Sequence, residues 1–308
     1  MTKRRDFLKI AGAAGLVTSL GVPLKLLADD KDDLVTLTVL STNDMHSRIE
    51  PFPANDRRFG GKGGMARRAA MIRAIRDKGN PVLLLDAGDI FQGTPYYNIY
   101  HGALEIELMT KMGYDAATIG NHEFDDGLEN LKEQIPKAGF PYICSNYDFS
   151  KTVLAGKTID YKIFNKGGIK IGVYGLGVEL EGLVSPANYG NTVYNDPVET
   201  ALYYEKFLKE RGCDLVIALS HLGYDYKSDK ISDMKLAPKL YHTDMIVGGH
   251  THTFLEKPSL VENQSGKKTV VSQAGWGGIE LGVTDFVFSK KFMQTVMITN
   301  TTKFLKSQ

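Results

Sequence analysis

Short apolar runs alternate with segments of helical spacing along most of the chain. Leu34–Leu40 alternates apolar and polar side chains and predicts a first strand. Val82–Leu85, Leu215–Leu219 and Met245–Val247 are continuous apolar runs, the form taken by strands buried on both faces. Ala116–Ile119 and Tyr142–Ser145 also read as strands. Lys162–Asn165 and Ile169–Tyr174, joined by Lys166-Gly167-Gly168, predict a hairpin. Thr269–Gln273, Leu281–Phe288 and Phe292–Asn300 predict later strands. Helical spacing covers Gly64–Lys78, Ala103–Met112, Leu128–Ala138 and Pro197–Arg211, the last with proline in its first turn. Such alternation predicts a layered α/β fold.

Five of the strands run directly into polar clusters. Leu34–Leu40 leads to Asn43-Asp44-Met45-His46, and Val82–Leu85 to Asp86-Ala87-Gly88-Asp89. Ala116–Ile119 leads to Gly120-Asn121-His122-Glu123, and Leu215–Leu219 to Ser220-His221-Leu222-Gly223. Met245–Val247 leads to Gly248-Gly249-His250-Thr251-His252. In open α/β sheets the carboxyl ends of strands build the site, so the five clusters should converge.

Seven histidines occur in the chain, and only His101 and His242 fall outside these clusters. His46, His122, His221, His250 and His252, together with Asp44, Asp89 and Asn121, make a mixed imidazole and oxygen set. That set suits Zn, Mn or Fe and does not suit calcium. Cysteine is missing from it, which argues against a structural zinc site. If the backbone is extended, residues two apart point the same way, so Asp44 and His46 should reach one ion together. His250 and His252 should likewise project to one side, each toward a different ion. Gly88, Gly120, Gly248 and Gly249 are expected to let the backbone turn sharply between ligands.

The order Asp-x-His, Gly-Asp, Gly-Asn-His-Glu, His and Gly-His-x-His resembles the calcineurin-like metallophosphoesterase superfamily. Asn43–His46, Asp86–Thr94 and Gly120–Asp125 narrow the resemblance to the 5′-nucleotidase branch, with its UDP-sugar hydrolases and 2′,3′-cyclic phosphodiesterases. The match spans about residues 34–290. It implies a four-layer α/β/β/α sandwich with mixed sheets and two divalent ions of Zn, Mn, Fe or Co. By the resemblance, Asp44, His46, Asp89 and His252 hold one ion; Asp89, Asn121, His221 and His250 hold the other. A water bridging the two would be the nucleophile. The resemblance also makes His122 the catalytic histidine that is not a ligand, oriented and kept charged by Asp125. A capping role for Asp125 on the following helix stands beside that one. Glu123 matches the motif and receives no direct role. Trp276 falls where the branch turns toward its site, as a pocket wall or as packing.

The composition adds limits. Of 308 residues, 43% are hydrophobic and 24% charged, which provides for a substantial core. A formal net charge of +1 gives no case for nucleic-acid binding. Two cysteines exclude a disulfide scaffold, and Cys144 and Cys213 are expected as buried thiols. Gly60–Gly64 lacks the full phosphate-loop pattern and reads as the lead into a helix. Arg67 and Arg68 on that helix are expected on its solvated face.

Arg4-Arg5, a 13-residue apolar stretch Ile10–Val22 and a small residue before Asp29-Asp30 resemble a twin-arginine export signal. The stretch is shorter than the roughly 20 residues that span a bilayer, so no permanent membrane span is expected. Residues 1–28 are assigned to the signal and 29–308 to a metallophosphatase catalytic domain. That assignment makes the protein periplasmic or otherwise extracytoplasmic. Relatives of the branch carry a further domain that grips phosphate and base, and no such domain is assigned within 29–308. A separate specificity-domain chain or a homodimer is therefore expected beside the phosphoester substrate, a nucleotide. The alternatives are the 2′,3′-cyclic phosphodiesterase, UDP-sugar hydrolase and sulfur-compound hydrolase activities, or a non-catalytic metal-binding accessory role.

Overall fold

The computed structural model describes residues 34–289 and 294–304. The chain opens with β1 (Leu34–Thr42), α1 (Met65–Arg76) and β2 (Val82–Asp86). The short α2 (Pro95–Tyr100) and α3 (Ala103–Met112) lead to the two-residue β3 (Ala116–Ala117), followed by α4 (Gly127–Gln134) and β4 (Tyr147–Asp148). The hairpin of β5 (Tyr161–Lys166) and β6 (Ile169–Leu176) comes next, then α5 (Pro186–Tyr189) and β7 (Val193–Tyr194). After these come α6 (Pro197–Glu210), β8 (Leu215–Ser220), α7 (Asp233–Leu236) and β9 (Met245–Val247). The last strands are β10 (Ser259–Glu262), β11 (Lys268–Ser272), β12 (Glu280–Ser289) and β13 (Gln294–Phe304).

Two mixed sheets result. One has the order β13-β12-β1-β2-β3, with β1, β2 and β3 parallel. The other has the order β10-β11-β9-β8-β6-β5, with β6, β8, β9 and β11 parallel and an antiparallel strand at each edge. Residue alternation assigns each face. Leu37, Val39, Leu83 and Leu85 of the first sheet pack with Ile171, Val173, Ile217 and Leu219 of the second. Leu40, Val82 and Leu84 point the other way, onto Ile72, Ile75, Ile106 and Met109 of α1 and α3. Tyr174, Leu176, Val216 and Ala218 meet Ala201 and Leu208 of α6. Three cores between four layers define an α/β/β/α sandwich.

Local chemistry sets the helix limits. Asp196 caps α6 by accepting from Val198 N and Glu199 N, and Pro197 occupies the first turn. The helix expected over Leu128–Ala138 stops at Gln134 and tightens into a 3₁₀ turn, Ile135–Lys137, because Pro136 has no N–H to continue the ladder. Tyr142–Ser145 forms isolated bridges, Ala117 to Tyr142 and Ile143 to Ile159, instead of a strand. Arg68 departs from its expected solvated position. The core-facing stripe of α1 is Met65, Arg68, Ile72 and Ile75, so Arg68 is fully buried and donates to Met45 Sδ. Arg67 is half-buried and donates to the Gly61 carbonyl. Cys144 and Cys213 are both buried and free. Of the late strand expected at Phe292–Asn300, Phe292 and Met293 lie outside the described residues, as does the export signal expected at 1–28.

Candidate metal centre

The parallel strands of both sheets deliver their C-terminal loops to one place. Asp44 and His46 follow β1, Asp89 follows β2, and Asn121 and His122 follow β3. His221 follows β8, and His250 and His252 follow β9. Two groups of side chains converge there. Asp44, His46, Asp89 and His252 bring one ligand atom each within 4.8 Å of one another, and Asp89, His221 and His250 do the same. Asp89 belongs to both. Asn121 sits beside them: the next residue's amide, His122 N, donates to Asp89 Oδ1 at 2.8 Å.

The candidate ligands converge by a different device from the extended spacing expected. Asp44, His46, Asp89, His250 and His252 all have left-handed backbone, with φ between 48° and 75°. Each such residue costs ~1–2 kcal/mol, and hydrogen bonds to other loops hold Asp44, His46, Asp89 and His250 in place. Asp44 N donates to Gly88 O at 2.9 Å, and His46 N to Asp89 O at 3.0 Å. Gly277 N donates to Asp44 O at 2.7 Å. Strain of this kind gathers at functional sites. The glycines also act differently from expectation. Only Gly88 among the four has positive φ; a Cβ at Gly120 would strike the Asp89 carboxylate, and one at Gly249 would press on His221.

The donor atoms fit divalent cations. His221 Nε2 lies 3.0 Å from Asp89 Oδ2, yet is buried without a hydrogen bond. Asn121 Oδ1 is likewise buried without a partner. His46 Nε2 and His252 Nε2 face each other at 2.9 Å, and His252 Nε2 is 3.4 Å from Asp44 Oδ1. Lone pairs aimed at a common point, and polar atoms left unsatisfied by protein, are what an ion would complete. Burial lowers the pKa of His46, and burial together with nearby His221 lowers that of His250 to about 3, so both present neutral imidazoles. His221 Nδ1 is oriented by the Ala87 carbonyl at 2.6 Å, which turns Nε2 inward.

His122 faces this group without joining it. Its ring centroid is 5.1 Å from that of His46, and its Nδ1 is 2.8 Å from Asp125 Oδ2. The residue capping α4 is Asp126, and no side chain bonds there, so Asp125 has His122 as its side-chain partner.

Several supporting residues were not assigned from the sequence. Glu123, fully buried, accepts from Asp89 N at 2.9 Å, Ile90 N at 2.7 Å, Phe91 N at 3.2 Å and Gly120 N at 2.6 Å. One carboxylate thus clamps the two loops that carry Asp89 and His122. Asn43 ties the first loop to the last: Ala274 N donates to Asn43 Oδ1, and Asn43 Nδ2 donates to Gly275 O. Gln273 Nε2 donates to Gly249 O, and its Oε1 accepts from Thr251 and Thr253. The positions of Glu123 and Asn43 in their polar clusters were the signal that hinted at such work.

Residues 37–254 match the family described as calcineurin-like phosphoesterase. The chain belongs to that family. It is 35% identical over 276 residues to snake venom 5′-nucleotidase of Crotalus adamanteus, covering 83% of this chain and 46% of that protein. It is also 35% identical over 279 residues to 5′-nucleotidase of Bos taurus, covering 83% and 47%. Among solved structures, a 5′-nucleotidase precursor from Thermus thermophilus superposes with a TM-score of 0.79 at 32% identity, over 87% of this chain and 54% of that one. The chain thus spans about half the length of these relatives. Among the described residues, no helix is long and apolar enough to cross a membrane.

Proposed function

We propose that the chain hydrolyses phosphoesters with two divalent ions, and that nucleotides are its substrates. The observation that carries the reading is Asp89, one buried carboxylate common to both ligand groups. In this reading Asp44, His46, Asp89 and His252 hold one ion, and Asp89, Asn121, His221 and His250 the other. Ions in these positions supply an acidified water and neutralise phosphoryl charge.

The chain's own groups do the remaining chemistry. Asp125 holds Nδ1 of His122, which leaves Nε2 free to face the substrate. The imidazolium stabilises charge developing on the phosphoryl oxygens and gives its Nε2 proton to the leaving oxygen. Glu123 and Asn43 keep the ligand loops fixed, so little reorganisation accompanies the reaction. The nucleotide class is supported by the relatives, which are 5′-nucleotidases. Export by the twin-arginine route belongs to the same proposal and rests on Arg4-Arg5 and Ile10–Val22.

The test is a panel of AMP, a 2′,3′-cyclic nucleotide, UDP-glucose and bis-p-nitrophenyl phosphate, assayed with Mn²⁺. Phosphate release fastest from AMP supports the proposal. Hydrolysis confined to the sugar nucleotide or the diesters would move the substrate class, and no hydrolysis of any member would refute the reading.

A further inference from the structure

Trp276 is the chain's single tryptophan, and it stands flat against the candidate metal centre. Its ring stacks on His252 with centroids 5.6 Å apart and planes 9° from parallel. The same indole meets His46 edge-on at 6.3 Å. Phe52 and Phe59 pack against it in T-shaped contacts at 5.4 Å and 6.0 Å.

The backbone on both sides of Trp276 is fastened to the first ligand loop. Gly277 N donates to Asp44 O at 2.7 Å, and Gly275 O accepts from Asn43 Nδ2 at 2.6 Å. Gly275 and Gly277 take φ of 66° and 60°, a turn that presents the indole broadside. The indole is therefore a fixed wall and cannot simply follow the imidazole.

His252 needs such a wall. A ligating histidine is ordinarily oriented by a hydrogen bond to its second ring nitrogen. His221 has that bond, from Nδ1 to Ala87 O. Among the described residues, no hydrogen bond reaches Nδ1 of His252, and its side chain is 39% exposed while those of His221 and Asp44 are wholly buried. Stacking is thus the main restraint on the plane of this ring.

We infer that Trp276 is a positioning residue for one of the two ions: it fixes the His252 imidazole by stacking, where His221 is fixed by a hydrogen bond. The inference rests on the two-ion reading above. It assigns Trp276 to the position shared by Asp44, His46, Asp89 and His252, and gives it no part in the position of His221 and His250. A flat aromatic ring should suffice, so phenylalanine should replace tryptophan here and leucine should not.

The test strips the full-length protein with a chelator and titrates it with Co²⁺ alone. Bound cobalt is counted after desalting, cobalt absorption reports ligation, and Trp276 emission reports the adjacent position. The wild-type protein should bind two equivalents, with emission quenched as one of them binds. Trp276→Leu should lose about tenfold or more in affinity for one equivalent and keep the other. Trp276→Phe should stay within about threefold of wild type at both. Equal affinities for both equivalents in the leucine variant would overturn the inference, as would wild-type emission that ignores bound cobalt, a measurement that needs no variant to fold. Failure of the wild-type protein to bind cobalt at all would bring down the metal reading itself, a result distinct from the other two.

Discussion

Asp125 Oδ2 lies 2.8 Å from Nδ1 of His122, its partner across one 3₁₀ turn. That bond, acting against burial and helped by the Asp89 charge, raises the His122 pKa to about 9. The imidazolium therefore persists through neutral pH. Because the folded pKa lies above the ordinary value of 6.5, its stabilising effect is complete below about pH 6.5 and fades as pH rises through about 9. We expect kcat/KM to fall on the alkaline side as His122 loses its proton, at a pH above the ordinary 6.5. Asp125→Asn removes the main cause, so the alkaline limb should move toward neutral pH, with turnover at pH 8 down by roughly ten- to a hundredfold. A pH–rate profile of the variant with its limb unmoved would contradict the pairing.

The ligand assignment separates two variants by metal content. Asp89→Ala removes the carboxylate common to both groups, so metal retained after desalting should fall toward zero and turnover should vanish. His122→Ala should retain both equivalents while turnover drops by roughly two to four orders of magnitude. Metal lost from His122→Ala would place that histidine among the ligands.

Glu123 accepts four backbone N–H groups, and an amide cannot reproduce this with one oxygen. Glu123→Gln should therefore lose about 1–3 kcal/mol of stability, read as a lower urea midpoint, and should bind metal more weakly through the loosened Asp89 loop. An unchanged midpoint would show that the clamp carries no stability.

Leu83 lies in the core between the sheets, fully buried. Leu83→Ala should cost about 2–5 kcal/mol by leaving a cavity that the two packed sheets cannot close. Thermal unfolding of the variant checks this, and a melting point within a degree of wild type would mean that the sheets do collapse onto the gap.

Much of this organisation was legible in the residues. Leu215–Leu219 and Met245–Val247 are strands because nothing in them can face water, and each is found within a residue of its expected limits. The polar residues after them could be read because solvent-seeking groups directly behind a buried strand have few other uses. The backbone conformation was not legible: left-handed Asp44, His46 and His250 are held by hydrogen bonds to residues of other loops. Arg68 shows the same limit, since its charge argued for solvent while its place on the α1 stripe put it inside. Short elements such as β4 and β7 exist through tertiary pairing, Tyr147 with Tyr194 for one, and leave little periodicity to find.

The most direct test of the proposal that two ions drive phosphoester hydrolysis is a metal titration of activity. Chelator-stripped protein is given Mn²⁺ in steps, and AMP hydrolysis and bound manganese are measured on the same samples. We expect no turnover at the start and a rise that saturates at two equivalents per chain. Full turnover in the stripped protein, or saturation at a single equivalent, would contradict the assignment.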